Sequence, residues 1–82
     1  MDEDPLLANV NEAVERLELT PAVFVERQPD GLIEVCGLGC PVYGSDDQLG
    51  EAFIALLELD ATLDPDDLRD RVAKVFLTAL DG

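Results

Sequence analysis

Apolar positions along this chain recur first at helical spacing, then in β-rich runs, then at helical spacing again. Leu6, Leu7, Val10, Val14 and Leu17 fall on one side of a helical repeat, with Glu12, Glu15, Arg16 and Glu18 on the other. This predicts an amphipathic helix over residues 5–18. Thr20-Pro21 stops it, because the residue before a proline is driven toward extended conformations.

Two runs follow, Ala22 to Gln28 and Leu32 to Cys36, rich in β-branched and aromatic residues and separated by Pro29-Asp30-Gly31. Pro29 presets φ, Asp30 can bond its own backbone, and Gly31 can take the positive φ that closes a hairpin. Gly37-Leu38-Gly39 then reverses the chain before a short third strand, Cys40 to Tyr43. Pro41 cannot donate to a ladder, so that strand is expected at a sheet edge.

Ser45 followed three residues later by Gln48 has the form of a capping box. Leu49, Phe53, Leu56 and Leu57, with Ile54 beside them, continue a second helix to about residue 59. A third helix opens with Asp64 as N-cap, Pro65 at its first position, and Asp66 and Asp67 in the first turn, where the helix dipole favours negative charge. Leu63 and Leu68 are spaced as a hydrophobic staple; Leu68, Val72, Val75, Phe76, Ala79 and Leu80 form one apolar face to its end. The expected fold is a single α+β domain spanning residues 1–82, ordered α-β-β-β-α-α, with three helices and a three-stranded antiparallel sheet.

Composition changes this picture in one respect, charge. The 82 residues carry 19 Asp and Glu against 5 Lys and Arg, a net charge of −14 with no histidine. At 48 % hydrophobic residues in periodic segments, such a chain folds rather than staying disordered. Its surface repels nucleic acids and anionic membranes and attracts basic protein surfaces. No apolar run nears the roughly 20 residues of a membrane span, and Met1-Asp2-Glu3-Asp4 is acidic where a signal peptide is basic, so a cytoplasmic protein is expected.

Candidate chemistry is sparse. Triads and imidazole acid–base catalysis need a histidine, and the one serine, Ser45, is accounted for as a cap; no enzyme is expected. Carboxylate pairs arise by chance among 19 acids. Cys36 and Cys40 could supply two zinc ligands or a cross-strand disulfide, yet a structural zinc site takes four ligands, so neither metal nor cofactor is expected. Asp60, Asp64, Asp66 and Asp67 lack the ligand order of a calcium loop, and Gly37-x-Gly39 lacks the spacing of a phosphate loop.

The local arrangement of the acids carries the remaining information. Asp66 and Asp70 lie i,i+4 with Asp67 beside them; Glu12, Glu15 and Glu18 repeat the pattern on the first helix, and Asp46, Asp47 and Glu51 crowd the start of the second. Repulsion accepted three times points to a basic partner or to a salty solvent. In element order and charge, though in no sequence motif, the whole chain resembles small acidic phage anti-CRISPR proteins. That resemblance implies a nucleic-acid mimic that inhibits a basic, nucleic-acid-binding complex with carboxylates placed before its arginines. The candidate partner-binding residues are then Asp46, Asp47, Glu51, Asp64, Asp66, Asp67 and Asp70.

Asp30-Gly31 through Cys36, Gly37-Leu38-Gly39-Cys40 and Gly44 to Ala52 also resemble HicB-type antitoxins, with a longer Cys40-to-Ala52 spacing and an added first helix. Size, acidity and a helix followed by strands are shared with type III secretion chaperones. A halophilic domain is the remaining alternative, and the single lysine, Lys74, fits it. Mimicry predicts carboxylates gathered on one face, halophily an even spread. Ile54, Leu57 and Leu59 broaden the apolar stripe of the second helix, so a monomer or a homodimer is expected.

Overall fold

The structure is a computed structural model that describes residues 4–80. Helix α1 spans Pro5–Glu15 and is capped by Asp4, whose Oδ1 accepts from the Leu6 N–H at 3.2 Å. It ends three residues earlier than its apolar repeat predicts. The Leu17 and Glu18 N–H groups donate to Val14 and Glu15 carbonyls at 3.0 Å each, tightening the last turn, and Glu18 takes a left-handed φ of 54°. The chain leaves the helix there, and Leu17 still reaches the core.

Strands β1 (Phe24–Arg27), β2 (Ile33–Cys36) and β3 (Val42–Gly44) form an antiparallel sheet in that order, which places β3 at an edge. All three are shorter than the β-rich runs of the sequence, and β3 starts two residues later, after the bend at Cys40-Pro41. The hairpin turn closes through the Gly31 N–H on the Gln28 carbonyl at 2.9 Å and the Leu32 N–H on Asp30 Oδ1 at 3.0 Å, with Gly31 at φ 93°.

Alternation divides the sheet into two faces. Val25, Ile33, Val35 and Val42 point inward and are buried; Phe24, Glu26, Glu34, Cys36 and Tyr43 point outward. Helix α1 packs against β1, and two further helices, α2 (Asp46–Leu57) and α3 (Pro65–Leu80), complete the layer on the inner face. α2 lies between α1 and α3. Its capping box forms as expected: Ser45 Oγ accepts from the Gln48 N–H at 3.3 Å, and Gln48 Oε1 accepts from the Ser45 N–H at 2.9 Å.

α2 and α3 are antiparallel, since Gln48 Nε2, in the first turn of α2, donates to the carbonyl of Leu80 at the end of α3 at 3.2 Å. The core between helices and sheet is built on Val10, Val14, Ile33, Val35, Leu49, Leu56, Val72 and Phe76. Burying each such side chain contributes about 1.5–3 kcal/mol. Among the described residues no polar side chain is buried.

Candidate functional site

The seven acidic residues singled out by the sequence divide into two groups. Asp46, Asp47 and Glu51 stand at the start of α2, and Asp64, Asp66, Asp67 and Asp70 at the start of α3. Antiparallel packing puts these starts at opposite ends of the helix pair. The 16 residues of α3 span about 24 Å at 1.5 Å per residue, so the structure does not bring the two groups together.

Within each group the local roles differ. Asp46 is held by Arg27 from β1, whose Nη1 donates to Asp46 Oδ1 at 2.6 Å, while Nη2 reaches Asp4 at the start of α1. Arg27 Nη1 also donates to the Gly31 carbonyl at 2.9 Å. One guanidinium therefore ties the starts of α1 and α2 to the hairpin, and its hydrogen bonds to Asp46 and Asp4 raise its pKa further. The hydrogen bond from Arg27 holds the Asp4 carboxyl below its ordinary range.

Asp64 serves as the expected cap: its Oδ2 accepts from the Asp66 N–H at 3.3 Å and its carbonyl from the Leu68 N–H at 2.8 Å. Asp66, Asp67 and Asp70 are exposed. The neighbouring cation, Arg69, turns away from them, donating through Nη1 to the Pro21 carbonyl at 2.6 Å and through Nη2 to the Gly37 carbonyl. Among the described residues the ion pairs within 4 Å are those of Arg27 with Asp4 and Asp46. Two of the five basic residues are thus spent on the fold, leaving Arg16, Arg71 and Lys74 to offset the exposed carboxylates.

Acidic charge also appears well away from both groups. Glu12 and Glu15 are exposed on α1, Glu58 and Asp60 in the α2–α3 connection, and Glu26 and Glu34 directly opposite each other on the outer face of the sheet. The exposed carboxylates are therefore spread over the molecule rather than gathered on one face. Next to Glu34 across the sheet stands Tyr43, and Phe24 pairs with Cys36, so this outer face joins acid to exposed aromatic surface.

Neither thiol is bonded: Cys36 and Cys40 are both free. Burial, with the charges of Glu34 and Glu26, pushes the Cys36 thiol up and so disfavours the reactive thiolate. Among the described residues no group of three or more His, Cys, Asp or Glu side chains is placed to hold a metal ion. Among the described residues no helix is long and apolar enough to cross a membrane.

The bridges from Arg27 to Asp4 and Asp46 and from Arg69 to Pro21 and Gly37 were not readable in the sequence, because these partners lie 19 to 48 residues away and no local pattern marks them. The Glu26–Glu34 pair was readable in principle, since the Pro29-Asp30-Gly31 turn fixes the hairpin register. No protein-family profile, curated protein or solved structure matches the chain.

Proposed function

We propose that this chain is a non-enzymatic acidic protein that binds a basic, nucleic-acid-binding protein or complex and inhibits it by presenting carboxylates where phosphates would lie. The observation that carries the reading is the start of α3: Asp66, Asp67 and Asp70 are exposed, with no cation among the described residues within 4 Å, and Arg69 is directed into the fold. A basic cleft supplies the missing countercharge. Asp66 and Asp67 stand in the first turn of α3, where the helix dipole favours negative charge. Encounter is steered by the net charge of −14 and screened over about 8 Å at physiological ionic strength.

The test is capture of partners on the tagged protein at about 0.15 M and about 1 M salt, with a folded Asp66→Lys, Asp67→Lys, Asp70→Lys variant alongside. Recovery of a nucleic-acid-handling complex by the parent, lost in high salt and lost in the variant, supports the reading. Unchanged capture by the variant removes the start of α3 from the interface.

A second reading, a halophilic domain whose acid answers to solvent, draws on the spread of Glu12, Glu15, Glu26, Glu34 and Glu58 over α1, the sheet and the α2–α3 connection, the distribution that halophily predicts, whereas the mimic reading rests on the start of α3 alone. It expects no salt-sensitive partner and a thermal midpoint that climbs steeply into molar salt.

A further inference from the structure

The helical layer carries one apolar feature that the acidic surface does not account for. Ile54 and Leu57, one turn apart on α2, are 61 % and 50 % exposed. Beside them a groove of about 480 Å³ runs between α1 and α2, floored by Ala13, Phe53 and Leu57. Phe53 is half-buried against the core, so the floor is fixed by packing.

Carboxylates frame this strip on both sides. Glu12 and Glu15 line the α1 wall, together with Arg16 as its single cation. On α2, Asp47, Glu51, Ile54 and Glu58 share one helical face and are all exposed, so Ile54 stands within an acidic row. An apolar centre between two acidic margins is the complement of a helix with an apolar stripe and basic flanks.

A second copy of this chain fits poorly. It would set acidic rows against acidic rows at a net charge of −14 per copy, and two exposed side chains fall well short of the roughly 800 Å² per partner of a stable interface. We propose that the α1–α2 groove docks an amphipathic helix of a basic protein partner, its apolar residues on Phe53, Ile54 and Leu57 and its Lys or Arg flanks against Glu12 and Glu15 on one side and Glu58 on the other. The basic character of the partner rests on the function proposed above; the groove adds the shape of the element it grips.

The test uses the full chain and a labelled Leu/Lys peptide of about 18 residues with leucines at i, i+3, i+4 and i+7, titrated at about 0.15 M salt against a shuffled peptide of the same composition. Ile54→Glu and Leu57→Glu separate the two contributions, because each adds negative charge while removing an apolar anchor. Both sites are solvent-exposed, and folding of the variants is checked by their unfolding transitions.

The amphipathic peptide is expected to bind, the shuffled peptide to bind about tenfold more weakly, and each variant to weaken the amphipathic peptide by about tenfold. Equal or tighter binding by the variants, or equal binding of the shuffled peptide, overturns the groove while leaving attraction to basic partners standing. Failure of both peptides overturns the two together. A parent dimer in sedimentation that Leu57→Glu dissociates gives the face to a second copy and overturns the proposal.

Discussion

Asn11 on α1 and Val25 on β1 are joined by two hydrogen bonds: the Val25 N–H donates to Asn11 Oδ1 at 2.8 Å, and Asn11 Nδ2 donates to the Val25 carbonyl at 3.3 Å. A side-chain amide thus occupies the place of a neighbouring strand. β1 is an edge strand, and this pairing satisfies the backbone groups at its centre that would otherwise invite a further strand.

Asn11→Ala therefore leaves a donor and an acceptor without partners at a half-buried position. The expected loss is about 1–3 kcal/mol, read by denaturant unfolding. Asn11→Asp keeps the acceptor for the Val25 N–H but sets a carboxylate oxygen against the Val25 carbonyl, so it is expected to recover little of that loss. Equal stability of Asn11→Ala and the parent would show that water replaces the amide at no cost.

Gly37 has a φ of 96°, and a Cβ added there would collide with the Ala22 backbone carbonyl. Gly31 has nearly the same φ, 93°, yet nothing lies within 4 Å of its added Cβ. Gly31→Ala is expected to cost about 1–2 kcal/mol from the left-handed backbone alone. Gly37→Ala is expected to cost clearly more, because it also displaces the turn whose carbonyl receives Arg69. Thermal unfolding of the two variants side by side gives the order.

The Arg27 contact lowers the Asp4 pKa below its ordinary 3.8. A carboxylate with a lowered folded-state pKa stabilises fully above its unfolded value, and that contribution fades as pH falls through the lower, folded value. Asp4→Asn keeps a competent helix cap and removes the charge. The parent is expected to unfold at a higher temperature than Asp4→Asn at neutral pH, with the two midpoints converging as the pH falls below about 4. A constant gap between pH 7 and pH 2 would assign the difference to capping instead of the ion pair.

Glu26 and Glu34 are directly opposed on the outer face of the sheet, with Gln28 Nε2 donating to Glu34 Oε1 at 2.8 Å. Like charges in this relation destabilise a strand pair. Glu26→Lys replaces the repulsion with a cross-strand attraction and is expected to stabilise by about 0.5–1 kcal/mol at low salt, with the gain shrinking as salt rises. A destabilised variant would mean that the Phe24 side of the face depends on Glu26 for packing.

Much of the fold was legible because its signals are local. Ser45 and Gln48 name their own capping box, Asp64-Pro65 opens α3, and Pro29-Asp30-Gly31 turns the hairpin. The ends of elements were not legible. Glu18 adopts the left-handed conformation that glycine usually marks, so α1 ends at Glu15, ahead of the Thr20-Pro21 stop, without a local sign, and α2 ends at Leu57, before the expected residue 59, where Glu58 and Leu59 donate three residues back.

The candidate site divided for a related reason. Acid at the starts of both helices follows from the dipole and could be read from either segment alone, but their separation depends on the antiparallel turn between them. What separates Asp46 from Asp47 is Arg27, 19 positions upstream, a distance no local pattern spans.

The amide seal on β1 also bears on how this protein can change. With the Val25 groups on that margin satisfied, and β3 only three residues long after Pro41, less main chain is on offer for pairing with another molecule. The variable part of the surface is then its exposed side chains, Glu51, Ile54 and Asp67 among them. Such groups can be exchanged one substitution at a time with the architecture left unaltered.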